Sequence, residues 1–169
     1  DILMLGWHNS APSNRLMDFA FEMKERGLCR FIGLSGHNRS LFPDLAPKNN
    51  FDLFHIRYNP AHRGARKECF PLFDAASPPG LVTYTATRWG HLLQAKHMPE
   101  KEPPLNASDC YRFSLSDPRV NICMCGPKDM EQMQTALSAL DKGPLTQEET
   151  ERITRIGDHV HKSARGFFG

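Results

Sequence analysis

No apolar run in this chain approaches the ~20 residues that a membrane-spanning helix needs. No basic, apolar and small-residue succession stands at its first residues either. Charge of one sign is not in excess: 21 Lys and Arg against 19 Asp and Glu leave a net +2. Nucleic-acid and membrane-surface proteins concentrate positive charge into one patch, so neither kind of partner is expected. Cysteine is sparse. The five (Cys29, Cys69, Cys110, Cys123, Cys125) are odd in number and scattered, too few for a disulfide framework. A cytoplasmic location is therefore expected. Also missing are Gly-x-Gly-x-x-Gly and Gly-Lys-Ser/Thr, the strongest signatures of nucleotide-binding open sheets.

What is present is an ordinary globular composition over 169 residues, enough for one domain or a large piece of one. The apolar run Ile2–Leu5 begins immediately after Asp1. Chain ends are usually polar and frayed, so this start predicts the C-terminal portion of a longer domain.

Apolar runs alternate with helical patterns. Ile2–Leu5 precedes a helix over about Asn14–Arg26, with Leu16, Ala20 and Met23 on one face, Ser13 as cap and Gly27 as stop. Cys29–Leu34 reads as a strand before a short helix near Arg39–Leu45. Phe51–Tyr58 reads as a strand before a weaker helix at Gly64–Phe73. Gly80–Tyr84 is the fourth strand, reached through Ser77-Pro78-Pro79. Thr85–Leu105 is a long excursion, and loops of that length inside a domain are usually functional or mobile. Asn106 and Asp109 open a helix that ends near Ser116-Asp117-Pro118, followed by a fifth strand at Val120–Met124. The helix Asp129–Leu140 carries Met130, Met133, Leu137 and Leu140 at helical spacing, which predicts an inward face. Thr146 and Glu149 form a capping box for a last helix with Ile153, Ile156 and Val160 facing inward.

Strand then helix, five times over, predicts a parallel sheet with functional loops at the strand C-terminal ends. A (β/α)8 TIM barrel takes about 250 residues, so five units are a barrel fragment with strands one to three missing. The strand ends carry Trp7-His8-Asn9, Ser35-Gly36-His37-Asn38, His55 to Asn59, Tyr84 to Gly90, and Cys125 to Asp129. Histidines at three successive strand ends could suit a metal-dependent hydrolase, but such sites usually include a carboxylate and none stands there before Asp129. Cys123-x-Cys125 places both thiols on one strand face and suits a packed interior. Arg63, Arg66 and Lys67 read as a solvated helix face.

At these same places the sequence resembles the aldo/keto reductases. Lys24 to Ser35 (Lys-Glu-Arg-Gly-Leu-Cys-Arg-Phe-Ile-Gly-Leu-Ser) is similar to that family's Lys-x-x-Gly-x-x-Arg-x-Ile-Gly-x-Ser. Phe51-Asp52 with Tyr58-Asn59-Pro60 resembles its sixth strand, and Val82 to Gly90 its seventh strand and following Tyr-Ser-Pro-Leu-x-x-Gly loop. Gly126-Pro127-Lys128-Asp129-Met130-Glu131-Gln132-Met133 resembles the cofactor-binding turn and helix after the eighth.

The resemblance implies an oxidoreductase that reduces aldehydes or ketones to alcohols with NADP(H), the substrate being a small-molecule carbonyl compound. By position, Ser35 would bond the nicotinamide carboxamide, and His55 stands where the family has Gln. Tyr84 would stack on the nicotinamide ring. Thr85 to Thr87 would meet the pyrophosphate. Gly126, Lys128 and Asp129 lie at a helix N-terminus suited to the adenosine 2′-phosphate, and Gln132 near the adenine ribose. His8 stands two residues after the position of the family's catalytic histidine, Gly6, and is the one catalytic candidate. Three departures are informative: Ser35-Gly36-His37 replaces Ser-Asn, Thr135-Ala136 replaces an adenine-side Glu-Asn pair, and the family's catalytic Asp, Tyr and Lys belong to strands one to three. The alternative readings are a non-catalytic cofactor-binding or regulatory barrel subunit and, less favoured, the metal-dependent hydrolase.

Overall fold

The computed structural model describes residues 1–46 and 51–165. Five strands, β1 (Ile2–Trp7), β2 (Phe31–Gly36), β3 (Leu53–Arg57), β4 (Gly80–Tyr84) and β5 (Ile122–Cys123), form one parallel sheet in chain order. Between and after them come α1 (Asn14–Glu25), α2 (Leu41–Leu45), α3 (Ala65–Glu68), α4 (Ala107–Leu115), α5 (Met130–Lys142) and α6 (Gln147–Arg165). Parallel neighbours need a crossover, and the intervening helices supply it. Among the described residues, no helix is long and apolar enough to cross a membrane.

Two compact units divide the chain: Asp1–Ile56 with Gly64–Val82, and Arg57–Arg63 with everything from Thr83 on. In the first, β2 pairs with β1 and β3, with Ile32 opposite Leu3 and Leu34 opposite Phe54. Ile32, Leu34, Phe42, Phe54 and Ile56 are almost fully buried. The rings of Phe42, Phe51 and Phe73 all lie against Phe54, with centroids 4.8 to 5.7 Å away. At Gly33 of β2 an added Cβ would displace the Met4 side chain and crowd Leu53. The Lys24 and Asp52 of the sequence motif form a brace: Lys24 Nζ donates to Asp52 at 2.9 Å, and the same carboxylate accepts the Ile32 N–H at 2.8 Å. That motif therefore stiffens the first unit.

The second unit is built on α4 and α6. Ile153, Ile156 and Val160 are buried on α6, as the periodicity predicts. The capping box also forms: Glu149 N donates to Thr146 Oγ1 at 3.2 Å and Thr146 N to Glu149 Oε2 at 2.7 Å. Glu149 further pairs with the buried guanidinium of Arg112 on α4, at 2.7 Å. Gly157 lets α6 sit against Pro60, where a Cβ would run into the backbone carbonyl.

Two expectations are corrected. On α5 the buried residues are Ala136 and Ala139, while Met130, Met133, Leu137 and Leu140 are exposed. The helix packs against α4, and its buried residues are the small ones. The larger apolar residues of α5 stay in solvent. Cys125 is likewise exposed, since β5 ends at Cys123 and the chain has already left the strand.

Candidate functional site

The second unit holds a cavity of about 650 Å³. One wall is the loop after β4, contributing Thr87, Trp89, Gly90 and Leu93. A second is the start of α4 with the residues before it: Leu105, Asn106, Ala107 and Tyr111. The third is the turn Gly126–Asp129 and the first turns of α5, with Glu131, Gln132 and Thr135.

Each wall follows from its sequence. Asn106 caps α4, its side chain accepting the Ser108 N–H at 2.8 Å. Asp129 caps α5, accepting the Gln132 N–H at 2.8 Å, and the Gln132 side chain accepts the Lys128 N–H at 3.3 Å. The α5 N-terminus thus faces the cavity with the positive end of its dipole and with Lys128 beside it. Two carboxylates stand there as well: that of Asp129, engaged in the cap, and that of Glu131.

The loop after β4 is tightly specified. Thr85, Arg88, Trp89 and Gly90 all have positive φ, between 52° and 80°. Three of them are not glycine, and such residues at positive φ cluster where function overrides local preference. The buried amide of Asn59 donates to the Thr85 carbonyl at 2.9 Å, and the Arg88 N–H donates to the same oxygen at 2.8 Å. Thr87 Oγ1 accepts the Gly90 N–H at 3.3 Å. The Arg88 side chain is 8% exposed and donates to the Val160 carbonyl of α6 at 2.8 Å. Burial, and then the charge of Arg57, hold its guanidinium below the ordinary value.

The cavity therefore gathers five of the residues singled out in the sequence: Thr87, Gly126, Lys128, Asp129 and Gln132. Tyr84 and Thr85 belong to the same unit but do not line it; Thr85 Oγ1 donates to the Tyr84 carbonyl at 2.7 Å. His8, Ser35 and His55 lie together in the first unit. The His8 N–H donates to the Ser35 carbonyl at 2.8 Å, and Ser35 is the register partner of His55. The His8 ring is engaged locally, with Nε2 donating to the Leu5 carbonyl at 3.0 Å. Burial holds the His55 imidazole below its ordinary value, which favours the neutral ring. Among the described residues, no three His, Cys, Asp or Glu side chains gather into a metal cage.

Tyr111 carries no site assignment from the sequence, and Trp89 only that of the strand-end run Tyr84 to Gly90. They come from different walls, and only the fold brings both to the cavity.

No protein-family model matches the chain, and no curated protein does. Solved structures do. An aldo-keto reductase of Bacillus halodurans in its holo form superimposes with a TM-score of 0.75 at 18% identity, covering 92% of this chain and 58% of that one. An aldo/keto reductase of Klebsiella pneumoniae, solved in complex with NADP and acetate, gives 0.75 at 16%, covering 94% and 59%. One from Brucella melitensis gives 0.63 at 18%, covering 92% and 60%. The chain thus has the fold of the C-terminal part of an aldo-keto reductase barrel and spans about three fifths of those proteins' length.

Proposed function

We propose that this chain belongs to an oxidoreductase of the aldo/keto reductase kind and that its second unit holds the adenosine end of NADP(H). One observation carries the reading: the cavity assembles Thr87, Gly126, Lys128, Asp129 and Gln132, five of the nine residues that the resemblance assigned to the cofactor, around a helix N-terminus. The residues fit the group. Backbone N–H groups at the start of α5 and the Lys128 ammonium favour a phosphate, and the Thr87 hydroxyl adds a polar contact on the facing wall. Gly126 brings backbone to the cavity without a side chain in the way.

Held there, the nicotinamide cofactor would supply the hydride for reduction of an aldehyde or ketone. The chain's own residues bind and orient. Lys128 and the α5 N-terminus anchor charge; Asn59 and Arg88 hold the loop that carries Thr87. Tyr84 supplies an aromatic face at the end of β4. The proton for the alcohol oxygen is assigned to a tyrosine on the strands that the family places before β1, outside these 169 residues. A fluorescence titration of NADPH tests the binding claim. Saturable binding that weakens by roughly 1–3 kcal/mol in Tyr84→Ala supports it, the scale of a lost aromatic stack and its buried area. Absence of NADPH binding to the wild-type chain refutes it.

A further inference from the structure

The cysteines of α4 and β5 form a graded series that the cofactor reading leaves unused. Cys110 on α4 is completely buried, Cys123 at the end of β5 is partly buried, and Cys125 is exposed, each with a free thiol. Cys123 lies within electrostatic reach of both Cys110 and Cys125. Between Cys123 and Cys125 stands Met124, whose N–H donates to the Thr83 carbonyl of β4 at 2.8 Å. Two residues of extended chain separate Cα atoms by about 6.6–6.8 Å, the upper end of the range that a disulfide spans. β5 ends at Cys123, so no strand ladder holds Cys125 at full extension. Cys125 leads directly into Gly126, Pro127, Lys128 and Asp129, which form one wall of the cavity. Tyr111, from another wall, is within electrostatic reach of the same thiols, Cys125 foremost.

We propose that Cys125 and Cys123 are a peroxide-reactive thiol pair whose closure to a disulfide draws in the turn that begins at Gly126. Exposure sets the order of reaction. Cys125 is the thiol that an oxidant in solution reaches, and oxidant-sensitive cysteines combine such exposure with a second thiol nearby. Burial pushes the Cys123 thiol up, opposed by hydrogen bonds with the Thr83 and Ser114 hydroxyls, and burial pushes the Cys110 thiol up as well. Both therefore stay protonated at neutral pH and are slow to meet an oxidant first. In the first step the Cys125 thiolate attacks one oxygen of a hydroperoxide. An S–O bond forms, the O–O bond breaks, and an alcohol (water, from hydrogen peroxide) leaves with the thiol proton. The Cys125 sulfur gives up two electrons to the peroxide and becomes a sulfenic acid. In the second step the Cys123 sulfur attacks the Cys125 sulfur. The S–S bond forms, the S–O bond breaks, and hydroxide leaves as water with the Cys123 proton. Cys110 takes no part. The ring so closed shortens the chain immediately before Gly126, and the cavity wall moves with it.

The test uses the whole chain, fully reduced and then treated with a small excess of hydrogen peroxide. Tryptic cleavage after Arg119 and Lys128 releases Cys123 and Cys125 on one peptide, residues 120–128, and Cys110 on another. The expected product is that peptide lighter by two hydrogens, closed to alkylation and restored by dithiothreitol. Cys125→Ser should abolish it. Cys123→Ser should stop at the sulfenic acid, which dimedone traps on Cys125. Cys110→Ser should oxidise as the wild type does. Amide hydrogen exchange over residues 126–132 should differ between the reduced and oxidised wild type, and be the same in Cys125→Ser with or without peroxide. An unreacted Cys125, a link between the Cys110 and Cys123 peptides, a covalent dimer through Cys125, or Cys125 carried to the sulfinic acid while Cys123 stays free each overturns the pair. A disulfide that forms with no change in exchange over residues 126–132 overturns its hold on the turn. None of these readouts depends on NADPH, so the cofactor reading stands or falls separately.

Discussion

The side-chain amide of Asn59 donates a 2.9 Å hydrogen bond to the carbonyl of Thr85, a residue held at φ 56°. The same Asn59 accepts the N–H groups of Ala61 and His62 at 3.0 and 2.9 Å, and it is fully buried. One side chain thus fixes its own turn and the first residue of the loop that lines the cavity.

Asn59→Ala leaves the Ala61 N–H without its partner, at a cost of about 1–3 kcal/mol, and takes one of two donors from the Thr85 carbonyl. The expected result is a lowered denaturation midpoint together with weaker NADPH binding. Adding Thr85→Gly removes the steric cost of positive φ and should restore part of the binding. Loss of stability with no change in cofactor affinity would show that Asn59 serves only its own turn.

The Arg112–Glu149 pair gives a pH dependence with a definite sign. Hydrogen bonding from the Arg112 guanidinium, and then from Thr146, lowers the Glu149 carboxyl to about 2. A depressed folded-state value stabilises the fold above the ordinary carboxylate range, and the contribution is lost as pH falls from that range toward about 2. Glu149 is partly exposed, so solvent screening reduces the effect. Arg112 is not exposed, and removing its partner leaves a buried cation. Glu149→Gln should therefore destabilise the chain at neutral pH and flatten the acid limb of a plot of stability against pH. An unchanged acid limb would place the acid sensitivity elsewhere.

Much of this architecture was legible because local signals and tertiary packing agree. Gly80–Tyr84 is an apolar run bounded by prolines and a glycine, and β4 has those ends. The caps at Asn106 and Asp129 and the box at Thr146 and Glu149 are local hydrogen-bond patterns, which need no knowledge of the fold. Where packing decides, the sequence misleads. The spacing of Met130, Met133, Leu137 and Leu140 is that of a core face, yet α4 takes the alanine side of α5. The fifth strand shrinks from the expected Val120–Met124 to Ile122–Cys123, because β5 comes last in the strand order and only its pairing with β4 sustains it. Of the candidate site, the turn Gly126–Asp129 was readable as a helix start beside a lysine. Tyr111 was not, because it comes from α4, belongs to no motif, and reaches the cavity only through the fold.

Lys128 and Glu131 set opposing electrostatics at the α5 N-terminus. The cofactor reading predicts that Lys128→Ala weakens NADPH and spares NADH, since only the former carries the extra phosphate. Glu131→Gln should act in reverse, strengthening NADPH by removing a like charge. Parallel titrations of both cofactors decide the matter. Equal losses for NADPH and NADH in Lys128→Ala would mean that this lysine does not meet the 2′-phosphate.

The exposed face of α5 has a consequence for the isolated chain. Met130, Leu137 and Leu140 are 71, 53 and 69% exposed, and lie on one side of a helix otherwise held by alanines. Apolar stripes of this kind drive association. Sedimentation of residues 1–169 should show concentration-dependent self-association, reduced by Leu137→Glu with Leu140→Glu. Those positions are in solvent, so the unfolding midpoint should move little. A wild-type chain that stays monomeric at high concentration would contradict this.

Residues 1–169 alone are expected to turn over no carbonyl substrate. Reduction needs a group that gives a proton to the carbonyl oxygen as the hydride arrives. The chain has three tyrosines, and each is otherwise committed. Tyr58 is 1% exposed, with its ring 5.5 Å from that of Phe113. Tyr111 lines the cavity assigned to the adenosine end, and burial raises its hydroxyl, which makes it a poorer acid. Tyr84 is half-buried at the end of β4 and is assigned to the nicotinamide face. His8 spends its Nε2 hydrogen on the Leu5 carbonyl. The measurement is NADPH absorbance over time with a panel of aldehydes and ketones, using chain that binds NADPH. Stoichiometric, sustained oxidation that survives Tyr111→Phe and is lost in His8→Ala would show that the chain carries its own acid, with His8 in that role.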